Sequence, residues 1–360
     1  MQTVPDGVDR ALWAQASALR REYWSNSVFL RGIVEFSSHC RQNCLYCGLR
    51  NSNKKLPRYR LERTAILQAA GQVQKLGFGT LVLQAGEDDT YPAGELAEII
   101  AEIKGELGLA VTISLGERSE ADYRLWRKAG ADRYLLKLET LNARLYARLR
   151  PGNRLEDRLN CLRHLADLGY ETGTGLIAGL PSLAALNAMD APANNHANPK
   201  AESTVETGSD PANPKTASTV ETGAELDESI ARLAELKPDM LSISPFVPHP
   251  DTPLHAFPAC APSVALRCMA VARLHMPYAH IPVTSALGLA GDQMRLTALA
   301  VGDVLMPSLT PEEVREAYAI YPGKNAQHDD PLQRAAAMRD LVKSSDFAIG
   351  AGAGGAWRKG

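Results

Sequence analysis

The sequence of 360 residues predicts an α/β protein built as a (β/α)8 TIM-type barrel. Short apolar runs at 29–36, 80–84, 110–114, 133–137, 172–177, 240–244, 281–284 and 303–306 have the length and composition of strands. Amphipathic helical patterns follow nearly all of them, and strands alternating with helices make a parallel sheet with crossovers. Eight such units are the number that closes a barrel.

Residues 1–27 read as a helical extension, whose helix at 8–23 is expected to cross the bottom of the barrel. The barrel itself is expected over 28–324. Helix 64–76 carries Ile66, Ala70 and Val73 on one face, and further helices are expected at 93–107, 119–129 and 226–236. Ser119 followed by Asp122 has the form of a capping box with Asp in place of Glu. Gly77, Gly130 and Gly169 stand where helices should stop. Residues 325–360 are expected to form a C-terminal helix and a flexible Gly/Ala-rich tail.

One stretch breaks the alternation. Between about 182 and 225 the chain is rich in Ala, Asn, Pro, Thr and Glu, and Ala197-Asn198-Pro199-Lys200 with Ser203–Gly208 recurs as Ala212-Asn213-Pro214-Lys215 with Ser218–Gly223. Two copies are too few for a solenoid. The composition offers too little apolar area to offset ordering entropy, so a disordered insertion is expected. It follows the fifth strand, on the face where barrel enzymes carry their active sites, which leaves a lid or docking role open.

The formal charge of −2 gives no reason to expect nucleic acid as a partner. Six cysteines are too few for a disulfide framework. The first residues carry neither a basic patch nor an apolar run of the signal-peptide kind. No apolar stretch is long enough to cross a bilayer. A cytoplasmic location is expected, where thiolates stay reduced.

Three cysteines carry the chemical signal: Cys40, Cys44 and Cys47, spaced C-x3-C-x2-C with Tyr46 before the last. A cubane iron–sulfur cluster normally takes four thiolates. Three from one loop leave the fourth iron open to a small chelator, and S-adenosylmethionine (SAM) offers an amino group and a carboxylate. A structural zinc with His39 or a distant fourth ligand is the competing expectation, although no second knuckle is present. Cys161, Cys260 and Cys268 are isolated and read as ordinary buried thiols.

The residues around the cysteines, from Glu35 to Arg50, are followed by Arg58-Tyr59-Arg60, Gln84-Ala85-Gly86-Glu87 and Ser114-Leu115-Gly116-Glu117. Glu139-Thr140, Pro248-His249-Pro250-Asp251-Thr252-Pro253-Leu254 and Tyr321-Pro322-Gly323-Lys324 come later in the same order. Over about 28–324 this resembles the radical SAM maturases of FeFe-hydrogenase, the HydE type. Biotin synthase and methylornithine synthase are neighbours in the same superfamily.

The resemblance implies a 4Fe–4S cluster at the top of a closed barrel, held by Cys40, Cys44 and Cys47, with SAM beside it. Tyr46 would lie near the adenine or cover the cluster. Gly86 and Glu87 would meet the methionine ammonium, Ser114 and Glu139 the ribose, and Arg158 the methionine carboxylate. A surface ion pair remains the alternative for Glu139 and Arg158. Gln84, Thr112, Arg133, Met240, Thr284 and Tyr321 match cavity positions, although Arg133 and Met240 suit packing at strand starts equally well. No catalytic residue is assigned. The residues after Tyr321-Pro322-Gly323-Lys324 contain no cysteine, so no auxiliary cluster is expected, and Lys137-Leu138 stands where the family more often has Arg-His.

The implied activity is reductive cleavage of SAM to a 5′-deoxyadenosyl radical in assembly of the di-iron subsite of the hydrogenase H-cluster. Implied partners are a small organometallic or amino-acid-derived substrate, a reductant such as a flavodoxin or ferredoxin, and other hydrogenase maturases. A methylornithine synthase-like mutase or a biotin synthase-like enzyme is the alternative. A non-catalytic cluster carrier would need the cysteines but not Ser114, Glu139 or Arg158.

Overall fold

The computed structural model describes residues 4–190, 219–325 and 330–356. Strands β1 (Ser27–Ser37), β2 (Thr80–Ala85), β3 (Ala110–Ser114), β4 (Arg133–Leu135), β5 (Glu171–Ala178) and β6 (Met240–Pro245) pair in chain order. β7 (Val304–Leu305) lies on the other side of β1, and every pairing is parallel.

The expected seventh strand at 281–284 is present only as a thin stave. Leu241 N donates to His280 O at 2.8 Å and Val283 N to Val304 O at 2.9 Å, so residues 280–283 join β6 to β7 and close the ring. Pro282 has no N–H to give, and isolated bridges form there instead of a ladder. β4 is also shorter than expected. The amides of Leu138 and Glu139 both donate to Gly175 O, which takes the chain out of regular pairing just above Leu135.

Helices cover the outside as the apolar spacing requires. Helix Arg63–Lys75 buries Ile66, Ala70 and Val73, and helix Ala93–Glu102 runs on into a π-turn at Ile103–Leu107. Ser119 Oγ accepts from Asp122 N at 3.1 Å and caps helix Glu120–Lys128. Gly77, Gly130 and Gly169 each have positive φ where helices end. Helix Arg10–Trp24 lies at the bottom, where Arg20 Nε donates to Gly302 O at 3.1 Å and the Trp24 ring sits 4.0 Å from that of His280.

The segment expected as an insertion is folded at both ends. Helix Leu183–Met189 follows β5, Ser182 N donates to Thr219 O at 3.0 Å, and Pro181 pairs antiparallel with Val220. Thr222 and Glu225 form a full capping box that starts helix Gly223–Glu235, so the end of the second repeat serves as a helix start. Residues 191–218, the rest of the expected insertion, lie outside the described residues.

The expected flexible tail is corrected over 350–356. After helix Pro331–Lys343, β8 (Ala348–Ile349) pairs with the start of β1. The following carbonyls then fill the barrel floor. Ala353 O accepts from Thr80 Oγ1 at 2.7 Å and Arg133 Nη2 at 3.2 Å; Gly354 O accepts from Arg31 Nη2 at 3.0 Å and Arg133 Nη2 at 3.1 Å. His280 Nε2 lies 3.1 Å from Gly355 O. Burial and the nearby Arg133 push the Arg31 guanidinium down to about 9, so this charge depends on the few acceptors it has.

Truncation after Ile349 should cost about 3 kcal/mol or more of unfolding free energy, because it strips partners from two buried guanidinium groups. A denaturant titration checks this, and stability equal to the full chain would contradict the role given to the floor.

Candidate active site

The loop that leaves β1 carries the three cysteines and is held from several sides. Arg58 donates to the carbonyls of Ser38, Leu49, Arg50 and Asn53. Asn53 Nδ2 donates to Gly48 O at 2.9 Å, Leu45 N to Leu149 O at 2.9 Å, and Gly48 N to Ile320 O at 3.0 Å. Beside it, Gly86 permits contact that no side chain could: a Cβ there would lie 2.2 Å from His39 O and 2.7 Å from Cys40 Cβ.

Cys40, Cys44 and Cys47 all line one cavity of about 230 Å³ at the C-terminal ends of the strands, whereas His39 does not. Burial pushes the Cys40 thiol up to about 11, with Cys44 adding to the rise, and pushes Cys47 up as well. Thiols in such surroundings need a metal's charge to stay deprotonated. Among the described residues, no three His, Cys, Asp or Glu side chains are placed to hold one metal ion. Ligands of a single zinc converge to about 2.3 Å from a common point, whereas a cubane offers each thiolate a separate iron. The donor set therefore fits a cluster better than a zinc.

The resemblance-derived residues meet in the same cavity, with changed partners. Tyr46, Gly86, Glu87, Ser114, Glu139 and Arg158 all line it. Glu87 is 5 % exposed and is held by Arg150 Nη2 at 3.0 Å, Arg158 Nη1 at 3.1 Å and Gln42. Burial alone would raise its carboxyl, but Arg158 and Arg150 outweigh that and hold it down to about 2. Instead of standing free for an ammonium, Glu87 fixes two arginines. Arg158 also reaches Glu117 at 2.8 Å and donates from Nε to Lys137 O at 2.6 Å, which corrects the surface ion-pair alternative: the pair is buried.

Glu139 is the strained member. Its φ is +68°, one of three non-glycine residues with positive φ among those described. Backbone bonds on both sides hold it there: its N donates to Gly175 O at 2.9 Å and its O accepts from Ile177 N at 2.9 Å. Such a conformation costs roughly 1–3 kcal/mol and persists only where neighbours impose it. Lys137 Nζ lies 3.1 Å from Glu139 Oε2, yet the angle makes no hydrogen bond and that oxygen has no other partner. A buried carboxylate oxygen that has an ion-pair partner but accepts no hydrogen bond, in a cavity also lined by Ser114, fits a ligand carrying hydroxyl groups.

Four of the six expected cavity residues lie elsewhere. Gln84 and Tyr321 line the cavity. Arg133 and Met240 begin their strands and belong to the floor: Arg133 pairs with Glu171 at 2.5 Å and Met240 Sδ accepts from Arg31 at 3.1 Å. Each residue of strand climbs about 3.3 Å, so a strand's first residue cannot reach a cavity at its far end. Thr112 is buried in the wall between floor and cavity. Thr284 caps helix Ser285–Gly288. Sequence reasoning gave Arg150, Glu117, Ser244 and Tyr318 no role and Lys137 no contact; Glu117 stands in the run Ser114-Leu115-Gly116-Glu117, whereas no local motif marks Arg150, Ser244 or Tyr318.

Gly116 has φ +70°, and a Cβ there would lie 2.0 Å from Glu87 Cγ. Gly116→Ala should therefore displace Glu87 and its arginines and weaken SAM binding about 10-fold or more, measured by equilibrium dialysis; unchanged binding would contradict the placement. Asp303 on the floor and Asp88 are also held down to about 2, in each case against burial, by His280 and Arg273 and by Arg60 respectively. The unfolded chain binds these protons at about pH 4, so folding stability should be full above about pH 4.5 and drain between about 4.5 and 2. Asp303→Asn should flatten that slope in acid denaturation, and an unaltered slope would count against it.

The comparisons agree with this geometry. The family profile described as Radical SAM superfamily matches residues 34–184, and that of the Biotin and Thiamin Synthesis associated domain matches 242–333. The FeFe hydrogenase maturase subunit HydE of Thermotoga maritima is 39% identical over 319 residues, covering 88% of this chain and 80% of that protein. The 3-methylornithine synthase of Methanosarcina acetivorans is 27% identical, covering 84% and 75%. The crystal structure of methylornithine synthase (PylB) shares the fold with a TM-score of 0.72 at 24% identity, covering 94% of this chain and 88% of that one. No helix among the described residues is long and apolar enough to cross a membrane. A cysteine triplet at the mouth of a parallel barrel, matched along most of the chain to a maturase, places this protein in the radical SAM superfamily and, within it, in the HydE family.

Proposed function

We propose that this radical SAM enzyme holds one 4Fe–4S cluster on Cys40, Cys44 and Cys47 and acts in assembly of the di-iron subsite of the FeFe-hydrogenase H-cluster. The observation that carries the reading is that the three thiols and Glu139, whose Oε2 is ion-paired with Lys137 but accepts no hydrogen bond, line one cavity. The HydE relative supports the hydrogenase assignment. The substrate would be a small organometallic or amino-acid-derived molecule.

When bound, the cluster and SAM supply a 5′-deoxyadenosyl radical by one-electron cleavage of the sulfonium. The chain's own residues bind and enclose. Arg158 spends Nε and Nη1 on Lys137 O, Glu87 and Glu117, leaving Nη2 for the methionine carboxylate. Glu139 Oε2 would accept from a ribose hydroxyl, with Ser114 beside it. Leu135, Ile177, Phe246 and Ile320 give the cavity apolar walls that exclude water and stray hydrogen donors. Lys137 Nζ, 3.4 Å from Ser244 Oγ, offers a cation to an anionic group of the substrate. Gln84 Nε2 donates to Tyr318 OH at 2.9 Å and fixes the wall contributed by the segment before Lys324.

The identity to 3-methylornithine synthase supports a second reading, a mutase acting on lysine. Anaerobic reconstitution should load about four irons per chain, as one cluster requires. Reduced protein with SAM should release 5′-deoxyadenosine, and Arg158→Ala should raise the KM for SAM about 10-fold or more with iron content unchanged. No release with any candidate substrate would sink the enzyme reading. Intact cleavage in the Arg158 variant would sink the role given to that side chain.

A further inference from the structure

We propose that Arg150 is a fixed charge that sets the reduction potential of the cluster on Cys40, Cys44 and Cys47. The cluster itself rests on the radical SAM reading; the role of Arg150 goes beyond it.

The chain that follows helix Ala143–Leu149 is tied to the cysteine loop on both sides of Cys44 in sequence. Asn153 Nδ2 donates to Gln42 Oε1 at 2.8 Å, and Leu45 N donates to Leu149 O at 2.9 Å. Arg150 lies between these two ties, and its own backbone is held as well. Its N donates to Tyr146 O at 2.9 Å and its O accepts from Asn153 N at 3.0 Å. The residue is 4 % exposed and lines the same cavity as the three cysteines. Nη2 donates to Glu87 Oε1 at 3.0 Å, and the guanidinium carbon lies 5.6 Å from the centre of the buried Tyr146 ring. Nε is buried and has no hydrogen-bond partner among the described residues. A buried N–H without an acceptor is costly, and a sulfur of a cluster held at Cys44 would supply one.

Cys44 and Arg150 also act on each other by charge. Burial pushes the Cys44 thiol up, and Arg150 is the first group that brings it back, ahead of the opposing Glu87, with Arg158 adding to Arg150. Burial works against the Arg150 guanidinium too, yet it is held above its ordinary value, by Cys44 ahead of Glu87. Arg50 and Arg58 also feel the thiolates, but both are only half-buried, and water weakens their field. Arg150 in the interior keeps its field.

Reduction adds one electron to the cluster and neither makes nor breaks a bond. The reduced cluster carries one more negative charge, so a fixed buried cation favours it over the oxidised one. Cluster potentials respond to net charge and to hydrogen bonds on the sulfurs, and Arg150 offers both. Glu87 pulls the other way, so the two side chains should move the potential in opposite directions.

Redox titration of the anaerobic, cluster-loaded protein without SAM, followed by EPR of the reduced cluster, reads the potential apart from SAM cleavage. At a fixed solution potential, Arg150→Met should lower the ratio of reduced to oxidised cluster about 10-fold, which is about 59 mV for one electron. Arg150→Lys keeps the charge and should lose less than about 3-fold, whereas Glu87→Gln should raise the ratio by about 3-fold or more. If Arg150 served only to anchor Glu87, Arg150→Met and Glu87→Gln would shift the ratio in the same direction. A native ratio in Arg150→Met overturns the assignment, as does a loss in Arg150→Lys as large as in Arg150→Met, or an unchanged or lowered ratio in Glu87→Gln. Where Arg150→Met takes up no iron, Glu87→Gln decides by the same criterion. A native protein that takes up no cluster overturns the radical SAM reading together with this role; a native cluster whose potential ignores these substitutions overturns the role of Arg150 alone.

Discussion

A carboxylate buried at the mouth of a barrel is tolerable only when cations meet it, and Glu87 organises the site through that requirement. It draws Arg150 and Arg158 to one point and takes Gln42 from the cysteine loop itself. Its own carbonyl accepts from Arg41 N at 2.9 Å. Arg158 extends the set to Glu117 above β3 and to Lys137 O above β4. Loops from four successive strands are thereby fixed relative to each other before any ligand arrives. A loose set of loops would have to be ordered on binding, at the cost of affinity.

Glu139 shows a different way of preparing a site. The backbone forces it into the left-handed region, and the buried carboxylate oxygen beside Lys137 is left without a hydrogen bond. Both features cost stability in the free protein. The Lys137 ion pair offsets part of the carboxylate's cost, and a ligand that donates to that oxygen would offset more.

The parts legible in the sequence were those whose cause is local. Three cysteines within eight residues declare a metal site without help from the rest of the chain. Apolar runs of five to eight residues gave six of the strands closely, because burial on both faces leaves a continuous apolar signature. Period-two alternation tells which face a residue takes but not its height along the barrel. The resemblance matched Arg133 and Met240 to the cavity, whereas as the first residues of their strands they belong to the floor. Arg150 is 63 positions from Glu87, and nothing near either residue announces the other. The tail was misjudged because Gly and Ala give no side-chain pattern, whereas its hold comes from backbone carbonyls meeting arginines elsewhere.

That tail sets an order on how the protein can be made. Arg31 waits for a carbonyl 323 positions further along, and Arg133 for one 221 further. During synthesis on the ribosome, the cysteine loop and the first strands emerge long before the residues that seal the base. A nascent chain can gather its metal ligands early, but Arg31 and Arg133 stay hydrated or borrowed by other acceptors until residue 354 has been translated. Loading with iron and sulfide is thus separable in time from the sealing of the vessel in which a radical could be used.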